Sequence, residues 1–283
     1  MSWQLLVGSS VFLFSVNGLL HRVLMKADKS DPYAQTVVFT GLVGMFAFVI
    51  LLLRGGFQST ITLNQLPIFG LITGLTAVAG VFTFKGFKLI EASEHTILLT
   101  TSRIWSVIGA IVILGEALSP PKLIGAGMII GGVMITEWRV KVFVFNRGAL
   151  YVLAAAACYA IAEIYSFYIL RDFDSTTFLV YAALFIVAVM LLIRPSTIRK
   201  FSFYGKPKKL ANILVVSMND TVANLFVFGA YQVGRNALQI GPLLATQTIV
   251  TVLLAFLILR ETDNASQKVL GAIAAVTGSV LIL

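Results

Sequence analysis

The sequence predicts an all-α integral membrane protein of about ten transmembrane helices, arranged as a five-plus-five inverted-topology repeat. Three observations carry that prediction. The 283 residues are 58% hydrophobic and only 12% charged, with a mean hydropathy of +0.95, whereas soluble domains carry about 25% charged residues. Apolar runs close to the roughly 20 residues that a helix needs to cross a bilayer recur along the whole chain. The second half of the chain also repeats the first.

In order, the first five segments are approximately Gln4–Leu24, Ala34–Leu53, Pro67–Lys88, His95–Leu114 and Lys122–Glu137. The second five are approximately Gly148–Leu170, Thr176–Ile193, Leu210–Tyr231, Leu238–Leu259 and Gln267–Leu283. The fifth and tenth are short and glycine-rich. Breakers separate the runs: SDP at 30–32, RGG at 54–56, SPP at 119–121, RPS at 194–196 and ETDN at 261–264. No connection exceeds about seventeen residues, too short to hold an inserted soluble domain. Met1-Ser-Trp-Gln leads straight into apolar sequence without a basic stretch, so no cleavable signal is expected.

Sliding the chain by 145 residues lays Ala92–Glu116 on Ala237–Glu261, with ten of 25 positions identical. Apolar composition explains several of these matches, but Thr101/Thr246 and Glu116/Glu261 are harder to dismiss. With one residue of shift after the turn, Gly125 falls on Gly271 and Gly132 on Gly278. A unit with an odd number of spans must invert its second copy. Units at 1–145 and 146–283 therefore form an inverted repeat, the architecture of secondary transporters, whose binding site lies near the midplane between the halves.

Net charge is +9. In a soluble protein that would point to nucleic acid; here the basic residues lie in short connections, where they set topology. Sixteen of the 21 Lys and Arg residues fall in odd-numbered connections, four in even-numbered ones, and Arg103 is the remaining one. That asymmetry places the odd connections in the cytoplasm and both termini outside. Cys158 stands alone, and His21 and His95 are too few and too far apart in sequence for a histidine metal site. No cofactor or metal is expected.

The stretch ASEHTILLTTSRIWSVIGAIVILGEALSPPKLIGAGMIIGGVMI resembles the EamA repeat of the drug/metabolite transporter superfamily. It has an Ala-Ser start, an apolar helix, a Gly-Glu end, a polar turn and a Leu-Gly-rich closing helix. Its second copy begins at Ala237 and carries Arg260-Glu261 in place of Gly-Glu. The resemblance covers the whole chain and implies a ten-helix carrier in the plasma (inner) membrane, often exporting amino acids or related metabolites, without a bound cofactor. Two departures stand out. Many members carry a proline where this chain has Arg103 and, in the second copy, Thr248. Members also usually keep their termini in the cytoplasm, opposite to the Lys/Arg distribution here; the six basic residues from Arg194 to Lys209 would be costly to translocate.

Gly125-Ala-Gly127-Met-Ile-Ile-Gly131 superficially suggests a nucleotide loop. No strand precedes it, and close helix packing through small residues is the better reading. Glu116 and Glu261 sit at helix ends and read as capping residues near water. Ionisable residues deep in a span are expensive and by default face a cavity or a partner. Arg103, Glu163 and Asp220 qualify, with a structural ion pair between helices as the competing reading. Glu163 lies on the first helix of its repeat, as does the proton-linked Glu of the half-length small multidrug resistance proteins that this superfamily resembles. Asn17, Trp105, Tyr159, Asn219, Asn224 and Gln247, with Thr100 and Thr101, surround these charges as candidate pocket residues. Lys85, near a helix end, is expected to snorkel.

The sequence thus points to a carrier of a small polar metabolite, an amino-acid-like zwitterion, functioning as a monomer in a lipid bilayer with protons as a candidate co-substrate and no nucleic-acid partner. Arg103 would pair a carboxylate, and Glu163 or Asp220 would meet an ammonium or a proton. A channel, a structural subunit or a membrane-embedded enzyme are the alternatives. An enzyme would call for a catalytic His, a metal cluster or an active-site loop.

Overall fold

The protein was analysed as a computed structural model, which describes residues 2–26, 30–57, 60–102, 104–105, 120–139, 142–143, 146–170, 173–234, 244–260 and 263–282. Ten α-helices occur among these residues. The first half holds α1 (Trp3–Met25), α2 (Pro32–Leu53), α3 (Leu66–Leu89), α4 (Ala92–Leu99) and α5 (Pro120–Glu137). The second holds α6 (Arg147–Leu170), α7 (Ser175–Ile193), α8 (Pro207–Gly234), α9 (Gln247–Leu254) and α10 (Ala265–Ile282). Six of them, α1, α2, α3, α6, α7 and α8, contain stretches long and apolar enough to cross a membrane. Shorter apolar helices cover Leu123–Ile135, Gln247–Leu259 and Ala265–Leu281. Side chains such as Leu53, Leu192 and Leu257 are more than three-quarters exposed, which suits acyl chains and not water.

The packing has two-fold logic. Helix α1 runs along α8 and α3 along α6; α2 pairs with α7, α4 with α9 and α5 with α10. Exchanging each helix for the one five places later maps this set of pairs onto itself. That is how an inverted repeat builds one body from two similar halves.

The α2–α7 pair shows the symmetry in side chains. Asp31 caps α2 by accepting from the Ala34 backbone N–H at 2.9 Å, and Asp174 caps α7 by accepting from the Thr177 N–H at 2.8 Å. Each cap also reaches the far end of the other helix. Lys200, beyond the end of α7, pairs with Asp31. Arg54, at the end of α2, lies 3.8 Å from Asp174 and donates to Thr176 Oγ1 at 2.7 Å. Partial burial pushes the Asp31 carboxyl up, but Lys200, the Ala34 N–H and Arg194 more than offset that and hold it below its ordinary value. One carboxylate thus serves a helix terminus and a bridge between halves.

Glycines do the same at α5–α10. A Cβ on Gly132 would lie 2.6 Å from the Gly271 carbonyl oxygen, and one on Gly278 would lie 2.5 Å from the Gly125 carbonyl oxygen. The glycine-rich run is therefore a close helix contact. Gly127 and Gly131, also in that run, meet open space.

Some elements were not legible in the sequence. The prolines of SPP, treated there as breakers, form the first turn of α5, where a missing N–H costs nothing. Pro195–Gly205 is a 3-10 helix within the long basic connection. Trp138–Arg139 and Val142–Phe143 form a two-residue antiparallel pair between the halves. Near its C-terminal end, α9 passes into a π-helical turn, Ala255–Leu259, stopped by Arg260 in the left-handed region at φ 54°. Glu116 and Glu261 lie outside the described residues.

The exposed Ser202 of the 3-10 helix gives a test of orientation. With Cys158 removed, Ser202→Cys is expected to resist a membrane-impermeant thiol reagent in intact cells and to label after permeabilisation. Equal labelling without permeabilisation would reverse the assignment.

Candidate functional site

Polar side chains meet where α1 and α8, one from each half, run side by side. Asp220 lies near the middle of α8, thirteen residues in from Pro207, or about 20 Å along the axis at 1.5 Å per residue. Its Oδ2 accepts from Asn224 Nδ2 at 2.9 Å, and the same amide reaches the Asp220 backbone carbonyl at 2.8 Å. Its Oδ1 accepts from Asn17 Nδ2 of α1 at 3.4 Å, a long contact between the halves. Tyr159 of α6 lies against Thr83 of α3 and within the electrostatic reach of Asp220. The two symmetry-related helix pairs α1–α8 and α3–α6 thus both contribute to a single polar junction.

The remaining sequence candidates fall around it unevenly. Asn219 is half-buried beside Asp220. Gln247 opens α9, and its backbone carbonyl accepts from Ser15 Oγ at 3.3 Å, tying α9 to α1 one turn before Gly18. Glu163 is exposed, one turn along α6 from Tyr159. Trp105 is 41% exposed, in helical backbone beyond the turn that follows α4. Arg103 lies outside the described residues. Thr100 follows the interhelical reading, with its hydroxyl 3.0 Å from that of Thr248 at the α4–α9 contact, and Thr101, in the turn after α4, donates to the Leu98 carbonyl. Lys85 does not simply snorkel: its ammonium sits over the Tyr151 ring at 4.6 Å and the Phe82 ring at 5.4 Å, a cation–π contact with a helix of the other half.

Sequence reading missed two further features. His21 and His95, 74 positions apart in the chain, both pack against Phe87, with ring centroids 5.8 Å and 3.7 Å away. Gln35 joins His21 to the Tyr204 hydroxyl of the 3-10 helix. No group of three or more potential ligands suited to a metal occurs among the described residues. The second feature is a cavity of about 630 Å³ at the odd-connection end, lined by Arg22, Glu91, Glu94, Arg147, Asp263 and Lys268 among others. Its residues come from helix ends scattered over both halves, so no local motif announces it. Lys268, only 4% exposed, pairs with Glu91 across the halves in its wall. Arg22, in the cavity wall, lies five residues beyond Asn17 on α1, about 8 Å along the helix axis.

Both halves, residues 1–138 and 146–283, match the EamA-like transporter family. The chain belongs to that family. This EamA-like chain is accordingly a multi-pass membrane transporter of the drug/metabolite transporter superfamily, with a small-molecule substrate and a lipid environment. No curated protein matches it. A solved crystal structure is similar over 99% of this chain and 96% of its own, with a TM-score of 0.61 at 15% identity. That likeness concerns the fold alone.

Proposed function

We propose that this EamA-like transporter is a secondary carrier that moves an amino-acid-like zwitterion across the plasma (inner) membrane by alternating access, in export or exchange. The observation that carries the reading is the Asn17–Asp220 contact at mid-helix depth between the two halves. A site shared by two inverted units is exposed to one side or the other as the units rock. Residues 1–145 and 146–283 are the proposed rocking units, within a functional monomer. Arg103 anchors the substrate carboxylate, Trp105, Tyr159, Asn219, Asn224 and Gln247 line the pocket, and Asp220 or Glu163 meets the ammonium. Glu163 carries the coupled proton. A channel would be expected to build its pore from rings of like residues, whereas this polar junction lies within one chain.

Proteoliposome uptake screened over the amino acids, with and without a pH gradient, tests the reading. Saturable uptake accelerated by unlabelled substrate on the far side supports a carrier. Flux that neither saturates nor exchanges would make the chain a channel.

Arg103 has its own test. Lysine keeps the charge but loses the planar fork that grips a carboxylate. Arg103→Lys and Arg103→Ala are therefore expected to weaken binding by roughly tenfold or more, the loss of a charge-assisted hydrogen bond, with little change in thermal stability. Unaltered affinity together with a lowered melting temperature would make Arg103 a structural partner instead.

A further inference from the structure

We infer that Asn17, Asp220 and Asn224 form a subsite for a primary ammonium group, one that selects against N-methylated amines. The inference rests on the carrier reading and assigns the amine end of the zwitterion. Asp220 carries two hydrogen bonds, both from neutral amides and one of them long at 3.4 Å. No Lys or Arg pairs with it among the described residues. A carboxylate this deep in a span calls for a cationic partner.

Asn17 supplies the second, independent observation. It is 3% exposed, and its Oδ1 is buried with no hydrogen-bond donor, although buried polar atoms nearly always find a partner. Gly18, the next residue of α1, abuts a second unpartnered group. Thr251 of α9 is fully buried with an unpartnered hydroxyl, and its methyl lies 3.7 Å from where a Gly18 Cβ would be. The Asn17 amide oxygen and the Asp220 carboxylate thus leave acceptor capacity unfilled where α1 meets α8.

Candidate occupants differ in what they bring. A proton neutralises Asp220 and brings a single hydrogen, too few for both carboxylate oxygens and the Asn17 oxygen. A quaternary ammonium brings charge but no hydrogens. A primary ammonium brings a positive charge and three N–H donors, enough for the carboxylate and the amide oxygen together.

The test uses the purified full chain in detergent, with thermal stabilisation titrated by the twenty amino acids, by their N-trimethyl counterparts, and by sodium chloride against choline chloride. At least one amino acid is expected to stabilise the protein saturably, with its N-trimethyl form about tenfold weaker or more. Asp220→Asn, nearly isosteric, is expected to abolish the amino-acid effect. Asn17→Ala is expected to narrow the gap between primary and trimethylated forms. Equal binding of the trimethylated form overturns the ammonium subsite but leaves the zwitterion carrier standing, as does retained amino-acid binding in Asp220→Asn. Stabilisation by sodium and by no amino acid would make this an inorganic cation site. No response to any probe would overturn both readings.

Discussion

Gly278→Val and Gly132→Val are each expected to cost the folded protein about 1–3 kcal/mol or more, the usual range for overpacking a close contact. The reason is what the new side chain would strike. At Gly278 a Cβ lands 2.5 Å from the Gly125 carbonyl oxygen and 2.9 Å from the Ile129 backbone nitrogen; at Gly132 it lands 2.6 Å from the Gly271 carbonyl oxygen. These are backbone atoms of the facing helix and cannot swing aside as a side chain would, so α5 and α10 must part. Small residues let membrane helices approach this closely, and packing is much of what holds such helices together. Gly127→Val and Gly131→Val supply the control, because a Cβ at either meets nothing within 4 Å. Thermal unfolding in detergent should fall for the first pair and stay near the parent for the second. Equal tolerance at all four positions would mean the α5–α10 contact is looser than its backbone geometry indicates.

Glu163→Gln is expected to abolish uptake driven by a pH gradient while preserving substrate exchange and thermal stability. Glu163 is exposed on α6, one turn from Tyr159, which itself lies near Asp220. Residues four apart share a helix face, which puts Glu163 on the Tyr159 side of α6, the basis for the proposed coupling. Glutamine keeps the shape and removes the carboxyl group. Thermal unfolding measured beside uptake separates the two causes: a loss of gradient-driven uptake at the parental melting temperature reflects coupling and not unfolding. Gradient-driven uptake at the parental rate would remove Glu163 from the mechanism and turn attention to Asp220→Asn.

Composition and run length made the membrane class and helix count legible, since both depend on transfer of residues from water to lipid and little on their neighbours. The inverted repeat was legible for a related reason. Of the paired glycines at 125/271 and 132/278, Gly132 and Gly278 stand where helix contact leaves no room for a Cβ. Asp220 stood out by its cost alone: a charge amid an apolar run needs a reason wherever the fold puts it.

Tertiary structure decided which of these residues meet. Asn17 and Asp220 are 203 positions apart, and only the α1–α8 pairing brings them together. The same holds for His21 and His95 on Phe87, for the Asp31–Lys200 and Asp174–Arg54 bridges, and for the cavity assembled from helix ends of both halves. Hydropathy measures each residue against lipid or water. It carries no term for which helix stands beside which, and pairwise polar contact falls off over a few ångströms. The polar junction between the halves therefore exists only once the two units have packed.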